Sequence, residues 1–159
     1  MPRVRWHLAQ YNIARLRGPI GDPVVQGFVD ALDEINALGD RAPGFVWRLQ
    51  DDTGTATSIL PYDDPQLIIN LTVWESADAL WDYVYRSDHG AFFKRRREWF
   101  EKGDQPQVCM WWIEAGTLPT VADGVARLEH LRTHGPTPWS FTFARRFEPD
   151  QDPATHFSR

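Results

Sequence analysis

Hydrophobic and polar positions alternate, cluster and repeat along this chain in a way that marks out its elements. Arg5–Ala14 (RWHLAQYNIA) interleaves apolar and polar residues and predicts a strand. Arg17–Pro23 is a Gly- and Pro-rich loop, with Asp22-Pro23 placed as an N-cap and first helical proline. Apolar residues then recur at Val25, Phe28, Val29, Leu32, Ile35 and Leu38, the three- and four-residue spacing of an amphipathic helix over Val24–Leu38, with Gly39 as its C-cap. Phe45–Gln50 reads as a second strand. Asp51–Pro65 is a long excursion of the kind that forms lids, with a short strand at Thr57–Leu60. Leu67–Trp74 (LIINLTVW) is the strongest strand signal. Ser76 and Asp78 open a second helix with Leu80, Tyr83 and Val84 on its inner face. That helix is broken at Ser87–Gly90 and resumes over Phe92–Phe100. Val108–Glu114 is a fourth strand, Thr120–His134 a third helix, and Phe141–Phe147 an alternating fifth, edge strand.

The order strand, helix, strand, strand, helix, strand is that of the ferredoxin-like split unit, an α+β fold, here βαββαβ with a C-terminal helical appendix. Residues 1–147 are expected to form one domain and residues 148–159 a polar, mobile tail. The strands are apolar on both faces, and the helices of such a unit cover only one. A second copy of the chain is the expected cover for the other face, so the sequence predicts a homodimer.

Composition narrows the function. The formal net charge of -5 argues against a general nucleic-acid binder. No apolar run approaches the ~20 residues that span a bilayer, and the first residues lack a signal-peptide core, so a cytoplasmic protein with no membrane partner is expected. The single cysteine, Cys109, excludes a disulfide framework and lies in an apolar run (VCMWWI), where a buried core thiol is the simpler reading than a reactive one. Eight Trp in 159 residues is high, and Trp favours binding surfaces as well as cores.

The segments HLAQYNIARLRGPI, FVDALDEINALGDRAPGFVWRLQ, VWESADALWDYVYRSDHGAFFKRRREWF and RLEHLRTHGPTPWSFTF resemble a domain-of-unknown-function family within the dimeric α/β-barrel superfamily. The resemblance runs from His7 to about Phe143. It implies two ferredoxin-like units paired into a dimeric α/β barrel, each with a pocket between its sheet and its second helix. The superfamily includes cofactor-independent antibiotic-biosynthesis monooxygenases and haem-degrading enzymes. The latter use a first-strand Asn, a second-helix Trp and a later His. Asn12 and Tyr83 fall near the first two places, whereas the expected His position near Phe93 or Lys94 is not a His. His89 comes about one turn too early, so no resident haem or other cofactor is expected.

Candidate chemistry follows from residue types. Alternation puts Asn70, Thr72 and Trp74 on one face of their strand, Gln10 and Asn12 with Leu8 on one face of theirs, and Trp47 opposite Arg48. Asn12 and Asn70 either bridge neighbouring backbone or orient a ligand oxygen in an aromatic pocket. His89 either pairs with Asp88 or solvent, or projects into that pocket as a general base near neutral pH. The candidate site therefore comprises catalytic His89 and substrate-binding Asn12, Trp47, Asn70, Trp74, Tyr83, Trp111 and Trp112, with the Asp51–Pro65 excursion as its lid and no metal. His130 and His134 have an i, i+4 spacing but lack the Glu of the zinc-protease pattern, and Lys94–Arg97 reads as a solvated or anion-contacting basic face. The expected partner is a small aromatic molecule. The readings are a cofactor-independent monooxygenase, isomerase or cyclase on an aromatic or polyketide-like substrate; a non-catalytic ligand-binding or stress-associated dimer; or a haem binder. A solid core in which the aromatics merely fill volume competes with all three.

Overall fold

The computed structural model describes residues 5–51, 54–55, 59, 61–86, 92 and 94–149. Four strands form one antiparallel sheet: β1 (Trp6–Arg15), β2 (Phe45–Arg48), β3 (Leu67–Trp74) and β4 (Val108–Glu114), in the order β2-β3-β1-β4. β1 runs antiparallel to both β3 and β4, which places the sequence-distant pair β1 and β3 at the centre. The helices are α1 (Gln26–Arg41), α2 (Ala77–Arg86), a single turn α3 (Arg96–Trp99) and α4 (Val121–His134). This order and pairing are the ferredoxin-like split βαβ arrangement that the element order predicts.

Local chemistry sets the ends. Asp22 Oδ1 accepts from the Val24 N–H at 2.9 Å, starting a 3₁₀ turn over Pro23–Val25 that leads into α1. α1 does not stop at Gly39, where a C-cap was expected, but continues to Arg41 before Pro43. Gly39 is instead a contact position: a Cβ there would lie 3.3 Å from the Tyr83 hydroxyl of α2. Ser76 Oγ accepts from the Ala79 N–H as the N-cap of α2. Thr120 and Asp123 form a reciprocal capping box that starts α4.

β2 ends at Arg48, two residues short of the expected Gln50, although the Leu49 N–H still donates to the Leu71 carbonyl at 2.9 Å; a separate irregularity in its pairing lies between Phe45 and Trp47. The expected edge strand at Phe141–Phe147 is a single bridge. Phe141 exchanges two backbone hydrogen bonds with Met110, and the chain then turns at Thr142–Arg145 and leaves the sheet. The strand expected at Thr57–Leu60 falls almost wholly outside the described residues, as do the break at Ser87–Gly90 and the tail from residue 150.

Register divides the sheet into two faces. Leu8, Gln10, Asn12, Ala14, Ile68, Asn70, Thr72, Trp74, Met110 and Trp112 share one; Ala9, Tyr11, Ile13, Ile69, Leu71, Val73, Cys109 and Trp111 share the other. The first face meets α1, α2 and α3. The second is not open. Leu128 and Leu131 of α4 are buried in one cluster with Ala9, Tyr11, Leu71, Cys109 and Trp111. The helical appendix thus provides, within one chain, the cover assigned above to a second copy, and the open-face reason for a homodimer is removed.

α4 sits close because Gly124 faces the Tyr11 ring, where a Cβ would come within 2.5 Å of Cδ1. Gly124→Ala is therefore expected to destabilise the fold by ~1–3 kcal/mol through overpacking, more than the ~1 kcal/mol of helix propensity that alanine contributes. Urea unfolding measures the difference. Equal or raised stability would show that α4 does not seat on Tyr11.

Candidate functional site

On the face that meets α1, α2 and α3, hereafter the helix-covered face, β3 is buried at Ile68, Thr72 and Trp74 and exposed at Asn70 alone. Asn70 pairs in register with Asn12 on β1, and Asn12 with Val108 on β4, which is 39% exposed. One row across three strands is thus reachable from solvent. It divides two hydrophobic clusters. On one side Leu8, Trp74, Leu80, Met110 and Phe141 gather under α2, and on the other Leu16, Val25, Phe28, Ile68 and Trp99 gather under α1 and α3.

The exposed row is tied to the buried end of the sheet by side chains alone. The Trp74 indole Nε1–H donates to Thr72 Oγ1 at 2.9 Å. The Thr72 hydroxyl donates to Gln10 Oε1 at 2.9 Å. Gln10 Nε2 then donates to Asn12 Oδ1 at 2.8 Å. Gln10 and Thr72 are 8% and 7% exposed, so their polar groups are satisfied mostly by each other. Asn12 Nδ2 and the Asn70 amide have no side-chain partner among the described residues and retain hydrogen-bonding capacity toward solvent or a ligand.

Tyr83 closes the Trp74 end. Its ring lies over the Trp74 indole with centroids 5.1 Å apart, and its hydroxyl donates to the Ile35 carbonyl at 3.1 Å. Burial holds its phenol above the ordinary tyrosine range, Asp40 acts in the same direction, and Arg48 acts against it. Arg48, on the edge strand, holds Asp40 of α1 through Nε at 2.8 Å and reaches the Gly54 carbonyl. Tyr83 also borders an open groove of about 910 Å³ with Arg41, Glu75, Asp78, Asp82 and Arg86. The walls of that groove are charged rather than aromatic, and of the sequence-predicted site only Tyr83 reaches it.

The predicted site residues therefore separate. Asn12, Asn70, Trp74 and Trp112 share the face, with Tyr83 laid against it. Trp47 and Trp111 point to the other face, as the two-residue period of a strand requires. Trp111 is 1% exposed, with the Arg127 guanidinium 5.3 Å from its ring, and it is core. Trp112 lies two rows from Asn12, ~13 Å along the strand. Its indole N–H is used by the Phe147 carbonyl at 2.7 Å. His89 lies outside the described residues. The excursion expected as a lid does not cover the amide row where it is described: Ile59 and Tyr62 pack on the opposite face, and the Tyr62 and Tyr11 hydroxyls are 2.8 Å apart. Gln10 and Thr72 were missed as site residues. Alternation placed each on the right side of its own strand, but only the register brings the two strands' polar positions together.

Other candidate groups are absorbed structurally. The His130 and His134 rings lie 4.5 Å apart, and His130 Nε2 contacts Thr137 Oγ1 at 3.0 Å. No group of three or more His, Cys, Asp or Glu among the described residues is placed to hold a metal ion. Burial, with the charges of His134 and Arg127, lowers the pKa of His130. In the basic run, Arg95 pairs with Glu98 at 3.1 Å and lies over the Trp99 ring. No described helix is long and apolar enough to cross a membrane.

Strand order, pairing and the two crossover connections make this a ferredoxin-like α+β protein with an amide row on its helix-covered face. The chain belongs to the DUF3291 family, a domain of unknown function, whose profile matches residues 7–157. No curated protein matches the sequence. Among solved structures, the chain is similar to a mutant form of SnoaB, a cofactor-independent oxygenase from Streptomyces nogalater. Identity is 17% and the TM-score 0.45, covering 72% of this chain and 98% of that one. It is also similar to the PA3566 protein of Pseudomonas aeruginosa (13% identity, TM-score 0.47, 73% and 100% covered). A third likeness is to the ActVA-Orf6 monooxygenase of Streptomyces coelicolor, solved with nanaomycin D (16%, TM-score 0.38, 76% and 96% covered).

Burial pushes the Cys109 thiol up to about 12, so almost no thiolate forms near neutrality. Iodoacetamide at pH 8 is expected to leave Cys109 unmodified in the folded chain and to alkylate it in 8 M urea, as read by intact mass. Rapid labelling of the folded protein would place the thiol at a surface instead.

Proposed function

We propose that the protein binds a flat, polar-substituted aromatic small molecule on the helix-covered face of its sheet, over Asn12 and Asn70 and toward Tyr83. The observation that carries this reading is the exposure of Asn70 on a face that helices otherwise bury. An amide is left reachable there between two hydrophobic clusters and beside a hydrogen-bonded chain that fixes its neighbour. Apolar walls with a few convergent polar groups are the usual make-up of a small-molecule site.

The finer reading is a cofactor-independent oxygenase. Loss of a proton from an aromatic alcohol, or from carbon beside a carbonyl, gives an anion that can reduce dioxygen directly. Dioxygen bonds to a ring carbon that bears hydrogen; the O–O bond then breaks as that carbon loses its proton, so the carbon becomes a quinone carbonyl, the other oxygen leaves as water, and the substrate itself supplies all four electrons. Asn12 and Asn70 would hydrogen-bond the substrate's oxygen as charge develops on it, and His89 is the base assigned from sequence. A second reading, a non-catalytic binder, draws on a specific feature: on this face the strand positions from Leu8 to Ala14 and from Ile68 to Trp74 carry no His, Cys, Asp or Glu.

Equilibrium dialysis against 1,4-naphthoquinone tests the site. Saturable binding is expected, weakened about tenfold by Asn70→Ala through loss of one hydrogen bond in a partly desolvated site, with an unchanged circular dichroism spectrum. No saturable binding, or equal binding by the variant, would overturn the assignment. Oxygen uptake with 1,4-dihydroxynaphthalene then separates the two readings: uptake lost in Asn70→Ala supports the oxygenase, and binding without uptake supports the binder.

A further inference from the structure

We infer that Trp74, through Thr72 and Gln10, fixes Asn12 as a hydrogen-bond donor to the ligand, so that the site selects an acceptor oxygen, as in a carbonyl, enolate or phenolate. This rests on the small-molecule reading above and deepens it.

At the buried end there is no choice of polarity. An indole nitrogen only donates, so the Thr72 oxygen must accept from Trp74. The Thr72 hydroxyl has one proton, and Gln10 is its only other side-chain partner among the described residues. At 7% exposure that proton needs an acceptor, which Gln10 provides only with Oε1. Turning the Gln10 amide over would leave the Thr72 proton unpaired in the interior and present a second donor to an oxygen that already accepts one. Gln10 therefore directs its NH₂ at Asn12, whose Oδ1 accepts at 2.8 Å. The amide of Asn12 is turned in consequence, with Oδ1 held toward Gln10 and Nδ2–H as the group without a partner among the described residues.

The assignment of amide oxygen and nitrogen along this chain thus follows from a donor-only group at its far end rather than from local preference. Trp74 and Thr72 act as positioning residues. Neither needs to touch the ligand atom that Asn12 meets, and each alters what Asn12 offers. Consecutive bonds pointing the same way also polarise one another, which strengthens the terminal donor toward an oxygen that carries negative charge. A ligand group with only N–H donors could pair with the Asn70 oxygen but not with the Asn12 NH₂, and would forgo one hydrogen bond that an acceptor oxygen makes.

Two probes of similar size and shape test this in the intact chain by equilibrium dialysis: 1,4-naphthoquinone, which has acceptor oxygens only, and 1-naphthylamine, which presents N–H donors. The wild-type protein is expected to favour the quinone by about tenfold, the value of one well-made hydrogen bond against an unmade one. Thr72→Val, which cuts the chain, should bring that preference near unity by freeing Gln10 and Asn12 to turn. Thr72→Ser, which keeps the hydroxyl, should restore it. Rescue by serine is a result that a purely space-filling role for Thr72 would not produce. Equal binding of both probes by the wild-type protein overturns the polarity inference and leaves the binding reading intact. Binding of neither overturns both. Where Thr72→Val fails to fold, the wild-type preference and Thr72→Ala, which removes the same hydroxyl without adding a methyl group, decide the matter: a preference undiminished in Thr72→Ala counts against the inference.

Discussion

Every layer of this protein is built on β1. It is hydrogen-bonded along both edges, to β3 and to β4, and covered on both faces, so that Leu8, Ala9 and Tyr11 have no exposed surface. A strand in that position has no tolerance for a one-residue slip, because a slip would exchange its entire set of faces. Ala9, Tyr11 and Ile13 belong on the face of α4; Leu8, Gln10 and Asn12 belong on the opposite face, where Asn12 lies in the row the other helices leave reachable. That one constraint places Tyr11 against Gly124 on one side and Gln10 against Thr72 on the other. Core packing and the polar chain of the candidate site are two results of the same register.

The polar chain is unusual in what it asks of the fold. Four side chains from two adjacent strands must be satisfied in sequence within a region that excludes most water. A half-satisfied network there would be worse than an apolar one. The cost of burying Gln10 and Thr72 is offset only while Trp74 stays seated, and Trp74 is seated by Phe45 and Tyr83, whose ring centroids lie 5.4 and 5.1 Å from its own. The aromatic contacts under α2 are therefore part of what orients an amide several residues away.

Much of the architecture was legible in the sequence. The spacing of Phe28, Leu32 and Ile35, the run LIINLTVW and the helical stretch Thr120–His134 each specify a local element, and their order specifies the fold. The candidate site was legible only in part. Alternation assigns a residue to one side of its own strand but does not say which sides of different strands coincide. Asn12 and Asn70 could be named, while Trp47 and Trp111 were grouped with them although they face away. Gln10 and Thr72 were visible as polar residues in apolar strands but acquire meaning only as a cross-strand pair. The appendix was recognised as a helix, yet nothing local in Val121–His134 declares which surface it covers. A long-range close approach, Gly124 to Tyr11, decides that.

The amide row has a consequence for the motions of the molecule. It interrupts the hydrophobic cover of its face, leaving one apolar cluster under α2 and another under α1 and α3, with polar side chains between. Apolar contact is what makes neighbouring elements open together, and a polar seam weakens that coupling. The two ends of this face are accordingly expected to open as separate cooperative units, linked through α1 by the Tyr83 hydroxyl on the Ile35 carbonyl. Amide hydrogen exchange in α2 should then follow a different opening free energy from that in the first turns of α1, and a molecule entering between them would need to separate only one from the sheet.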